Sequence, residues 1–110
     1  MGIVHHHLIF QADVGDVAIG EGSAGELEGF LKELLFLIEM ECLIPPQLRF
    51  SHQKAWTGLM GIVTSHVAFH FWTEEKYIQL DIYSCKAFDV PRTLEFIRSY
   101  WRATGQRALF

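Results

Sequence analysis

No stretch of this 110-residue sequence reaches the roughly 18 apolar residues that a membrane span needs. The first residues lack the basic start, apolar run and small-residue cleavage site of a secretory leader, so a cytoplasmic protein without a membrane partner is expected. Cations are few: 9 Lys and Arg stand against 13 Asp and Glu, a formal charge of −4. That leaves no basic surplus to track a phosphate backbone, and nucleic acid is not an expected partner. Cysteine is scarce too. Cys42 and Cys85 are too few for a disulfide scaffold and are expected as free thiols. Repeats, low-complexity tracts and linkers are also missing, so residues 1–110 read as one domain.

Half of the residues are hydrophobic, enough for one core, and their spacing gives the elements. Residues 3–11 read as a strand with Val4, His6, Leu8 and Phe10 on one face and His5 and His7 on the other. After a Gly- and Asp-rich loop, Ser23 and Glu26 have the spacing of a capping box. The helix they open carries Leu27, Phe30, Leu31, Leu34, Leu35 and Ile38 on one stripe and is expected to run through Met40. Pro45 and Pro46 bar further helix and push the chain into an edge strand near residues 48–51. Strands follow at 57–64, 66–72 and 77–85, with a turn at 73–76. A second helix begins at Pro91 behind Asp89, with Gly105 as its stop and only a stub of strand after it. The expected class is α+β: a two-layer sandwich with two helices on one face of a mostly antiparallel sheet.

Pairing the hairpin so that Trp72 faces Tyr77 separates its two faces. Val67, Phe69 and Phe71 meet Ile78, Leu80 and Ile82 on the core side; His66, His70 and Trp72 share the other with Gln79, Asp81, Tyr83 and Cys85. In this register Cys85 lies opposite Thr64, so a thiol, a histidine and the Thr64–Ser65 peptide bond are expected on the face that the helices leave open.

Those residues carry a resemblance. Thr57-Gly58, Ser65-His66, His70, Trp72, Glu74, Asp81, Cys85 and Pro91 resemble the central region of bacterial S-adenosylmethionine decarboxylases, with no gap from Thr57 to Pro91. That family reads Glu-Ser-His, a few apolar residues, His-Thr-Trp-Pro-Glu, then a strand ending in Thr-Cys. His7-Leu8 and Arg49-Phe50-Ser51 are weaker matches. The resemblance implies a proenzyme in which Ser65 attacks the carbonyl of Thr64 and the chain parts before Ser65. The product is a pyruvoyl group at position 65, which binds a substrate amine and acts as an electron sink for decarboxylation. It further implies that His70 and Thr57 handle protons during cleavage, that Cys85 as a neutral thiol reprotonates the product, and that Phe50, Trp72 and Glu74 contact an amino-acid-type substrate such as S-adenosylmethionine in spermidine synthesis. Family members pair through their sheets, so a homodimer is implied.

Other readings stand beside this one. Thr64 replaces the family's glutamate, Thr57 its serine and Thr73 its proline. These departures point to an unprocessed, non-catalytic relative that keeps the fold as a binding or regulatory module. A relative acting on arginine or ornithine would use the same machinery. His66 and His70 have a zinc-like spacing but lie on a strand without the companion glutamate, so no metal is expected. His5 and His7 are read only as lining a wet sheet face.

Overall fold

Each alternating segment has one apolar face to hide, and that requirement builds the sheet. A computed structural model describes residues 3–110, in the order β1 (His6–Asp13), α1 (Ala24–Leu37), β2 (Cys42–Phe50), β3 (Ala55–Ile62), β4 (Ser65–Trp72), β5 (Tyr77–Ser84), α2 (Val90–Trp101) and β6 (Thr104–Leu109). The strands form one sheet, β2-β3-β4-β5-β1-β6, in which every neighbouring pair is antiparallel. The expected α+β class is the observed one. The β4–β5 register also agrees with the sequence pattern: Trp72 pairs with Tyr77, His70 with Gln79 and Ser65 with Ser84.

Val67, Phe69, Phe71, Ile78, Leu80, Ile82, Leu8 and Phe10 are buried in one cluster with Leu27, Phe30, Leu31 and Leu34 of α1 and Ile97 and Trp101 of α2. Both helices therefore cover the same face. Each of these large side chains contributes about 1.5–3 kcal/mol by leaving water. Trp101 ties the layers together, stacking on Phe71 at 5.3 Å between ring centres and meeting Phe30 edge-on at 5.2 Å.

Several boundaries differ from the sequence expectation. Ser23 does stand before α1, but its hydroxyl accepts from the Gly20 N–H at 2.9 Å and makes no hydrogen bond to the helix, so the capping box does not form. Helix α1 ends at Leu37, short of Met40, because Glu39 turns left-handed with φ 56°. The N–H of Met40 then bonds the Leu35 carbonyl and that of Glu39 bonds Phe36, the crossed pattern of a Schellman stop. Arg102, with φ 50°, ends α2 in the same way, while Gly105, expected as the stop, lies inside β6 near a register shift between β1 and β6. The tail is thus a full sixth strand. Strand β2 is longer than expected and carries Pro45 and Pro46 at the sheet edge, where its pairing with β3 shifts register.

Candidate functional site

The turn between β3 and β4 carries Thr64 just before Ser65 opens β4. Opposite it, beyond the last residue of β5, stands Cys85. The Thr64 carbonyl oxygen accepts two hydrogen bonds from that one residue, from the backbone N–H at 3.0 Å and from Sγ at 2.9 Å. A carbonyl so held is polarised, and negative charge developing on its oxygen meets two donors already in place. Ser65 is half-buried and pairs with Ser84. By alternation it has the parity of Val67, so it reaches the junction from the helix-covered side at the sheet's rim, not from the open face. Cys85 comes from the open side.

The Thr64 side chain is held as well. Its Oγ1 accepts from Ser84 Oγ at 2.9 Å and donates to Met40 Sδ at 3.2 Å, while Ser84 Oγ accepts from the Lys86 N–H at 2.9 Å. The pattern of the sequence singles out neither Ser84 nor Met40. Ser84 was legible only as the residue before Cys85, and Met40 reaches the junction because α1 stops early and turns the chain back.

A second group lies on the open face. Thr57 on β3 pairs with His70 on β4, and Thr57 Oγ1 is 3.1 Å from His70 Nδ1. Trp72 follows on the same side, its ring centre 5.8 Å from that of His70. Glu74 sits in the next turn, its carboxylate 2.7 Å from Lys54 Nζ; the hydrogen bond and charge of Glu74 hold the Lys54 ammonium above the usual lysine range. Phe50 is elsewhere: it packs edge-on against the buried Trp56 at 5.3 Å, on the helix-covered face, so it does not join Trp72 in one stacking site within a chain. His7 and His66 approach the same oxygen of Asp81, at 2.9 and 3.7 Å, and His5 Nδ1 bonds the Tyr83 hydroxyl.

The structure therefore brings together Thr64, Ser65 and Cys85 at one end of β4, and Thr57, His70 and Trp72 further along it. Ser65 and His70 are five residues apart on one strand, a separation of about 17 Å at the rise of an extended chain. A rigid strand cannot close that gap.

Comparison with known proteins follows the same lines. A family model described as S-adenosylmethionine decarboxylase matches residues 22–108. The chain is similar to an S-adenosylmethionine decarboxylase proenzyme of Pyrococcus abyssi, with 26% identity over 102 residues covering 92% of this chain and 71% of that protein. It is also similar to the proenzyme of Clostridium botulinum, with 33% identity over 48 residues, 43% of this chain; the match spans only 41% of that relative's length. Among solved structures, the adenosylmethionine decarboxylase from Aquifex aeolicus superposes with a TM-score of 0.79 at 15% identity, over 99% of this chain and 89% of the other, a likeness of fold.

Proposed function

Since the chain belongs to the S-adenosylmethionine decarboxylase family, we propose that it is a self-processing, pyruvoyl-dependent decarboxylase that acts on S-adenosylmethionine in spermidine synthesis. Proenzymes of this family carry a pyruvoyl group made from a serine by self-cleavage. The observation that carries the reading is the Thr64 carbonyl, held by the N–H and the Sγ of Cys85 immediately before a serine.

In this scheme Ser65 Oγ attacks the Thr64 carbonyl carbon, and the oxygen gains its charge against the two Cys85 donors. The C–N bond breaks, the nitrogen takes a proton, and an ester joins residues 64 and 65. Loss of the Cα proton of residue 65 then expels the Thr64 carboxylate from Cβ. Tautomerisation, addition of water and loss of ammonia leave a pyruvoyl group at 65 and fragments of residues 1–64 and 65–110. Once formed, the group supplies an attachment point for a substrate amine and an electron sink for the departing carbon dioxide. Cleavage frees the Cys85 thiol of its carbonyl partner, so it can deliver a proton to the product carbon. His70, oriented by Thr57, serves the remaining proton transfers, and Trp72 and Glu74 face the substrate.

Because His70 lies about 17 Å from Ser65 within one chain, a homodimer completes the site by laying the open face of one copy on that of another. A row that is apolar except at its centre supports that contact: Leu59 pairs with Ala68, Ala68 with Asp81, Asp81 with Ile9 and Ile9 with Leu109. Leu59 and Leu109 are 55% and 68% exposed in the single chain.

Denaturing mass spectrometry tests the proposal. The aged wild type is expected as two fragments parted before residue 65, and Ser65→Ala as one intact chain; carbon dioxide is expected from carboxyl-labelled S-adenosylmethionine, with arginine and ornithine as competing substrates. A single unbroken wild-type chain that releases carbon dioxide from none of the three would leave the second reading, a binding or regulatory module, which Thr64 and Thr57 favour by standing where the family has glutamate and serine.

A further inference from the structure

We propose that Ser84 is a positioning residue for self-cleavage: it clamps the Thr64 side chain while Cys85 holds the Thr64 carbonyl, so that the bond before Ser65 is presented for attack without a carboxylate at position 64. The proposal rests on the self-processing reading above. Ser84 is fully buried, at the end of a strand face whose other members are Ile78, Leu80 and Ile82. A hydroxyl there costs stability unless it is bonded, and alanine would serve the core as well. The hydroxyl has a single hydrogen. The nearer acceptor, Thr64 Oγ1 at 2.9 Å, takes it in preference to Met40 Sδ at 3.7 Å. Its lone pair receives the Lys86 N–H, and the Thr64 hydroxyl passes its own hydrogen to Met40. Three groups thus donate in one direction, from Lys86 through Ser84 and Thr64, and the thioether of Met40 accepts at the end.

The consequence falls on the electrophile. Threonine is stiff at χ1 because it is branched at Cβ, so fixing Oγ1 fixes the rotamer and limits rotation about the bonds that aim the carbonyl. With the carbonyl oxygen held from the open side by Cys85 and Oγ1 held from the covered side by Ser84, residue 64 is gripped at two points by two consecutive residues of one strand end. Reacting groups held in place react far faster than free ones, and a displacement of about 1 Å lowers rates by about a hundredfold.

The test is the rate of self-cleavage in freshly synthesised full-length chain, followed by mass, for the wild type, Ser84→Ala, Ser84→Thr, Thr64→Val and the Ser84→Ala/Thr64→Val pair. Ser84→Ala and Thr64→Val are each expected to slow cleavage by about tenfold to a hundredfold. Ser84→Thr, which keeps the hydroxyl, is expected to restore most of the rate, and the double variant to be no slower than the slower single one. Circular dichroism shows which variants are folded; should Ser84→Ala be unfolded, Thr64→Val and Ser84→Thr decide. Cleavage of Ser84→Ala or Thr64→Val at the wild-type rate, or single effects that multiply in the pair, would overturn the role of Ser84 alone. A wild type that is never cut would instead remove the self-processing reading, and this proposal with it.

Discussion

At the scale of single residues, the Thr64 carbonyl and its two donors set the clearest expectations. The backbone N–H of Cys85 survives substitution by serine or alanine, but the second donor depends on the side chain. Cys85→Ser still offers a hydrogen at nearly the same place, whereas Cys85→Ala offers none, and loss of one such donor costs about a hundredfold or more in rate. Self-cleavage is therefore expected within about tenfold of wild type in Cys85→Ser and slower by about a hundredfold in Cys85→Ala, with equal rates in the two arguing against a donor role for Sγ. Gly58 is constrained by space rather than by chemistry. A Cβ at that position would lie 2.2 Å from Cε1 of Phe69 and 2.9 Å from Leu48 Cδ2, and Phe69 is buried with nowhere to move. Gly58→Ala is expected to cost roughly 1–3 kcal/mol by overpacking, read from urea unfolding. Its neighbour Thr57 would shift with it, so the Thr57–His70 pair is tied to a contact on the opposite face of the sheet. The Thr64–Cys85 contact was legible from sequence because a four-residue turn fixes the count along the hairpin. The grip of Ser84 and Met40 on Thr64 was not, since it joins residues 24 and 20 positions away through side chains alone.

At the scale of elements, what could be read was the face, and what could not was the end. The leucine stripe of α1 continues through Ile38 and gives no sign of stopping, for neither glycine nor proline follows it before Pro45. The stop is made instead by Glu39 in a left-handed conformation, which costs an L-residue roughly 1–2 kcal/mol. Glycine there escapes that cost but loses more freedom on folding, so Glu39→Gly is expected to stabilise the protein by about 1 kcal/mol or somewhat less. An unfolding midpoint that stayed put or fell would show that the turn is unstrained. The phase of β2 was hidden for a similar reason. Its pairing with β3 shifts twice, between Cys42 and Gln47, around the two prolines, and alternation cannot be carried across such breaks. Hence Phe50 could be placed on a strand from sequence but not on its face. Strand β6 was read as no more than a stub because none of its residues is buried, leaving no apolar pattern to read.

At the scale of the molecule, the sheet separates two groups that the proposed chemistry needs together. The junction at Thr64–Ser65 and the Thr57–His70 pair lie on the same strands, whose hydrogen-bonded ladder holds them about 17 Å apart whatever the side chains do. If two copies share their open faces, each site takes its serine and thiol from one chain and its histidine from the other. That arrangement predicts complementation. Ser65→Ala cannot be cut but keeps His70; His70→Asn keeps Ser65 but lacks the imidazole. Prepared alone, the first stays whole and the second is cut slowly or not at all. Produced together with tags of different mass, they form mixed pairs, and in those the His70→Asn chain is expected to part before residue 65 while the Ser65→Ala chain remains intact. Native mass spectrometry reports the mixed pairs directly. Were such pairs abundant and both chains still whole, each chain would have to assemble its site by itself, and a shared open face would no longer account for how His70 reaches the bond.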